Sequence, residues 1–92
     1  MSKRKGTHNE HRSKQLLEAE GYACTRAAGS LGMFDIVGIG PRNIVLVQCK
    51  TNRWPGRAEV EAIRRFQAPK NARKLLHRWN DRASVPDVRR VE

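Results

Sequence analysis

The run Ile44-Val45-Leu46-Val47-Gln48-Cys49-Lys50 constrains this chain more than any other stretch. In an extended strand, successive side chains point to opposite faces of the sheet. Ile44 and Leu46 therefore share one face, and Val45, Val47 and Cys49 share the other. Both faces ask for burial, which is the pattern of a central strand in a sheet covered on both sides. Gln48 and Lys50 continue the Ile44 and Leu46 face, placing an amide and an ammonium where apolar groups are expected. An ammonium buried without a partner is costly, so something nearby must compensate Lys50.

The preceding residues supply a partner. Phe34 to Ile39 reads as a strand, and Gly40-Pro41-Arg42-Asn43 is a turn signal, which predicts an antiparallel hairpin. A symmetric register about that turn sets Ile39 opposite Ile44, Val37 opposite Leu46 and Asp35 opposite Gln48. Directly opposed residues have Cβ atoms roughly 5 Å apart, so Asp35, Gln48 and Lys50 gather at one end of one face. A slip of one residue would scatter them. A carboxylate and an amide oxygen can hold a hard cation such as Mg2+, and a lysine beside it can orient water or stabilise charge developing on a phosphate. On these residues alone, an Asp35–Lys50 ion pair at a polar strand end is an equal reading.

The remaining elements follow from periodicity and punctuation. Residues 1–6 read as a flexible basic arm, and a helix runs from Thr7 to about Glu20 with Gly21 as its stop signal. Tyr22 to Ala27 is a short strand, and 28–32 a flexible loop. From Arg57 to about Trp79 the stripe Val60, Ile63, Phe66, Leu75, Leu76 and Trp79 predicts helix, broken or kinked at Pro69, which alternatively opens a second helix. Val85 to Val91 contains the last strand. The order is α-β-β-β-α-β: an α/β fold with a small mixed sheet flanked by helices, in a single domain spanning 1–92.

Nineteen Lys and Arg against nine Asp and Glu give a formal charge of +10, which points to a polyanion, most commonly nucleic acid. Thirteen of the nineteen are Arg, whose planar fork suits phosphate. No apolar run approaches the ~20 residues that span a bilayer, and none follows the charged N-terminus as a leader, so a cytoplasmic protein is expected. Cys24 and Cys49 are too few and too separated for a zinc site and read as small buried hydrophobes. His8 and His11, three apart on one helix, permit a metal but fit a solvated or phosphate-facing role better. Lys70, Arg73, Lys74, Arg78 and Arg82 read as a basic helix face, Trp79 as core, and Trp54 as an exposed residue able to touch DNA or a partner subunit.

Phe34-Asp35-Ile36-Val37, with Gln48-Cys49-Lys50 thirteen residues after the Asp, resembles the PD-(D/E)XK nuclease motif. Phe34 replaces the proline of the motif, which does no chemistry. Gln48 replaces its second acidic residue, keeping a ligand oxygen but losing a charge. The flanks are more specific. Gly6-Thr7 leading to Glu10, then Leu16-Leu17-Glu18-Ala19-Glu20-Gly21-Tyr22 and Thr25-Arg26-Ala27-Ala28-Gly29-Ser30, are similar to archaeal-type Holliday junction resolvases over nearly fifty residues.

That resemblance implies a restriction-endonuclease-like core and a homodimer that cuts branched DNA, the four-way junction, with Mg2+ or, in its place, Mn2+. It implies Asp35, Gln48 and Glu10 as metal ligands, with Lys50 and Ser30 completing the catalytic set. Lys3, Arg4, Lys5, Arg26 and Arg53 are the expected phosphate contacts. Glu10 has a second reading, since Thr7-His8-Asn9-Glu10 is also a capping box. Ser30 equally fits an ordinary flexible loop. At 92 residues the chain is shorter than most such resolvases, as in a phage-encoded or trimmed version. The alternatives are another nuclease on the same fold (nicking, restriction or repair type) and a DNA-binding homologue weakened by Gln48.

Overall fold

The computed structural model describes the backbone of residues 2–92 and the side chains of 6–27 and 32–92. Helix α1 (Ser2–Ala19) leads into strands β1 (Ala23–Leu31), β2 (Phe34–Ile39) and β3 (Ile44–Thr51). Helix α2 (Arg57–Arg65) then crosses to β4 (Ala72–Trp79), and β5 (Asp87–Val91) ends the sheet. The strands lie in the order β1-β2-β3-β4-β5, antiparallel except for the parallel pair β3–β4.

The hairpin has the expected register, with Ile39 paired to Ile44 and Val37 to Leu46. Its turn is closed by the Gly40 N–H donating to the Asn43 carbonyl at 2.8 Å. Leu46 packs with Phe34, Ile63, Leu76 and Val91 on the α2 side. Ile36, Val45 and Val47 pack with Leu17 on the α1 side. Central strand β3 is therefore sandwiched as its two apolar faces require.

Four expectations are corrected. The helix begins at Ser2, so residues 2–6 are its first turns and not a flexible arm. Thr7 then lies inside the helix, where no capping box can form. Strand β1 continues to Leu31 through the stretch read as a loop. The largest correction concerns 57–79. Helix α2 ends at Arg65, and the segment after Pro69 is strand β4, so the basic helix face assigned to Lys70–Arg82 does not exist. Leu75, Leu76, His77 and Trp79 are wholly or largely buried on alternate faces of β4. A strand buried on both sides cannot be told from a buried helix by periodicity. The α-β-β-β-α-β core stands with β4 as its sixth element, and the strand expected at 85–91 is an added edge strand, β5.

Both helices end on identifiable chemistry. The Tyr22 N–H returns to the Leu17 carbonyl at 3.1 Å and Gly21 holds φ +102°, an ending that only glycine adopts without strain. Gly21→Ala is expected to destabilise the fold by about 1 kcal/mol, measured by urea denaturation, with no effect on activity at a temperature where both proteins are folded. At the other helix, the Lys74 ammonium donates to the carbonyls of Arg64 (3.0 Å) and Phe66 (2.5 Å), placing positive charge at the C-terminal end of α2.

Candidate active site

The site forms where β2, β3, α1 and α2 converge. One step along the hairpin from the Ile36–Val47 pair come Asp35 and Gln48. The Asp35 carboxylate accepts the Cys49 backbone N–H at 2.7 Å, which ties it to β3. Opposite Asp35, β1 leaves regular register: Arg26 pairs with Ile36, but the next pair is Leu31 with Phe34. This irregularity interrupts the β1–β2 ladder beside Asp35, and bulges are often found next to active sites. Ser30 lies within the bulge, and its side chain is outside the described residues.

Burial raises the Asp35 pKa above the ordinary carboxylate value, opposed by the Cys49 N–H. The Glu10 charge raises it further, while Lys50 and Arg26 act to lower it. Glu10, on α1, thus lies within electrostatic reach of Asp35. Arg26 holds it there, donating from Nε (3.1 Å) and Nη2 (2.9 Å) to one Glu10 oxygen. Arg26, expected on phosphate, is therefore engaged with a carboxylate of the site.

Gln48 is only 7 % exposed, and its Oε1 is buried without a hydrogen-bond partner. Buried oxygens are nearly always satisfied, so an orphan of this kind calls for a ligand or water. Asp35, Glu10 and the Gln48 amide each carry hard oxygens of the kind a divalent cation takes. Among the described residues no group of three or more His, Cys, Asp or Glu assembles that could hold a metal by itself. Lys50 pairs with Glu59, in the first turn of α2, at 3.1 Å. Both side chains are partly exposed, and such pairs are weak enough to open for a phosphate.

The other expected DNA contacts are dispersed. Arg53 is exposed just beyond β3, and Lys3, Arg4 and Lys5 lie in α1 with side chains outside the described residues. His8 and His11 are exposed. Trp54 is not the exposed residue expected: it packs on the α2-side core, with the guanidinium groups of Arg78 and Arg89 at 4.5 and 4.2 Å from its ring centroid.

Two supports escaped sequence reasoning. Glu59 belongs to the site through the crossing of α2, which local pattern does not encode. The second is a buried network behind Cys49. Ser13, fully buried on α1, lies with its Oγ 2.8 Å from His77 Nδ1 and accepts from Trp79 Nε1 at 2.8 Å and from the Cys49 thiol at 3.4 Å. With two donors already on Oγ, the Ser13 hydroxyl hydrogen goes to His77 Nδ1, which assigns the Nε2–H tautomer. Burial lowers the His77 pKa to about 4, so its ring is neutral. Burial also pushes the Cys49 thiol up to about 12, which makes it a structural donor and not a nucleophile.

A carboxylate on the second strand and an amide-x-lysine pair at the end of the third, on this mixed sheet, define a nuclease of the restriction-endonuclease-like class. A family model described as archaeal Holliday junction resolvase (Hjc) matches residues 1–76, and the chain belongs to that family. It is also similar to the solved structure of Archaeoglobus fulgidus Hjc, a Holliday junction resolvase from an archaeal hyperthermophile. The two share 25 % identity with a TM-score of 0.75, over 95 % of this chain and 73 % of that one. Among curated proteins no sequence match is found. No helix among the described residues is long and apolar enough to cross a membrane.

Proposed function

We propose that this chain is a Mg2+-dependent, structure-selective endodeoxyribonuclease that resolves four-way DNA junctions by paired phosphodiester hydrolysis, as a cytoplasmic homodimer. The observation that carries the reading is the orphaned Gln48 Oε1, buried next to the strand position of Asp35 in a chain of the resolvase family. A bound Mg2+, or Mn2+ in its place, supplies positive charge beside the scissile phosphate and acidifies water. Asp35 and Gln48 would hold the cation, with Glu10 contributing directly or through water. Arg26 anchors the Glu10 carboxylate through its 2.9 Å ion pair. Lys50 leaves Glu59 to orient the attacking water or to neutralise charge growing on the phosphorus oxygens. Two copies of the site about a two-fold axis match the symmetry of a four-way junction. Lys3, Arg4, Lys5 and Arg53 steady the backbone around it, and Ser30 lies in the bulge facing Asp35.

Gln48 gives a direct test. Gln48→Glu adds a ligand charge, and cation affinity in oxygen sites rises with charge count. The expected result is about a tenfold lower Mg2+ Kd by calorimetry, with the fold unchanged by circular dichroism. An unaltered Kd would remove Gln48 from the ligand set.

A further inference from the structure

We propose that a basic cleft at the far end of the sheet is a second DNA-backbone site, holding a stem of the branched substrate away from the scissile phosphate. The cleft has a volume of about 500 Å³ and is lined by Arg42, Lys70, Arg73 and Arg90, with Tyr22 and Asn43. No carboxylate lines it. Among the described residues Arg42, Lys70 and Arg73 make no ion pair, and Arg90 meets only the exposed Glu92, at 3.3 Å. Four cations around one concavity repel one another and create a field that an anion relieves.

The cleft is built on ordered elements. Arg42 and Asn43 lie in the β2–β3 turn, where the Tyr22 hydroxyl donates to Asn43 Oδ1 at 2.9 Å. Asn71 Nδ2 reaches the Arg42 carbonyl at 3.5 Å, joining that turn to the start of β4. Arg73 shares a face with Leu75, two residues on, and Arg90 is the cross-strand partner of Leu75. The two guanidinium groups therefore leave the same face of adjacent strands.

The occupant is a duplex backbone and not a lone phosphate. The cleft is wider than one phosphate, its donors come from three separate segments, and the chain carries a charge of +10. Ile44, next to the cleft, and Lys50, at the active site, lie six residues apart on β3, roughly 20 Å. That separation is less than one helical turn of DNA, about 34 Å.

The proposal rests on the junction-binding reading above, and the test separates the two. Four-way junction binding is measured without divalent cation across a salt series, for the native protein and for Arg42→Gln/Arg73→Gln. Both positions are exposed, and a Lys70→Gln/Arg90→Gln pair provides a second variant should the first fail to fold. Each lost phosphate contact lowers the slope of log affinity against log salt by about 0.9. The expected result is a slope smaller by about two for each protomer whose cleft is engaged, and affinity at least about tenfold weaker at moderate salt. Junctions with stems trimmed to a few base pairs should bind native and variant alike. An unchanged slope on long stems overturns the cleft assignment while leaving junction binding intact. So does pyrophosphate binding at the cleft, seen by NMR shifts, with DNA affinity indifferent to the substitutions. Failure of the native protein to bind any junction overturns the reading on which the proposal rests.

Discussion

Asp35→Asn is expected to lower the cleavage rate by about 10³-fold or more while leaving thermal stability close to native and junction binding without divalent cation within a few-fold. The two effects separate because Asp35 does two jobs. Its Oδ2 accepts the Cys49 N–H, a structural bond that an asparagine oxygen can still make. Its charge, by contrast, has no substitute among the neighbours. Glu10 already shares its charge with Arg26, and Gln48 offers an oxygen without charge. Single-turnover cleavage, thermal melts and gel-shift binding on the same preparations check this. A variant that cuts at near-native rate would show that Asp35 is a strand-end anchor and place the chemistry elsewhere.

The second large effect is on stability. His77 is 2 % exposed, with its ring fixed by Ser13, and burial brings its pKa to about 4 against an ordinary 6.5. Between those values the unfolded chain binds a proton that the folded protein refuses. The contribution is present above pH 6.5 and is lost as pH falls toward 4, for a total of about 3 kcal/mol. Urea denaturation at a series of pH values should show stability declining through this window. In His77→Gln, which keeps a polar group beside Ser13 but does not titrate, that part of the decline should vanish. A decline of equal size in the variant would assign the acid sensitivity to the carboxylates. The same network stands directly behind the Cys49 N–H that fixes Asp35, so its loss should lower activity before the fold is lost.

The parts of this molecule that sequence discloses are those encoded over short range. The β2–β3 hairpin was legible because a period of two, a four-residue turn and a one-register-only match of apolar pairs agree, and with it came Asp35 and Gln48 on neighbouring strands. Strand β4 was not legible, because Leu75, Leu76 and Trp79 satisfy a helical stripe as well as a doubly buried strand. What decides is the need of β3 for a partner on its second edge, which is tertiary information. The helix start was misplaced because Gly6-Thr7 looks like a boundary, yet Ser2 to Lys5 continue the same helix. Glu59 reaches Lys50 only because α2 crosses over the end of β3, and Ser13 meets His77 across 64 residues. Arg26 read as a phosphate contact because an isolated arginine in a basic chain usually is one. Its place beside Glu10 depends on how α1 lies on β1.

On the proposed function the site cuts branched DNA and recognises it by shape. The measurement that bears on it most directly is cleavage, with Mg2+, of a labelled four-way junction beside a linear duplex containing the same sequences. The expected result is paired nicks in opposing strands of the junction, no cutting of the duplex, and no cutting of either without a divalent cation. Equal cutting of the duplex would contradict junction selectivity and make the chain a nuclease of another specificity. Tight junction binding without any cutting, in Mg2+ or Mn2+, would contradict the catalytic claim itself and trace its loss to the missing charge at Gln48.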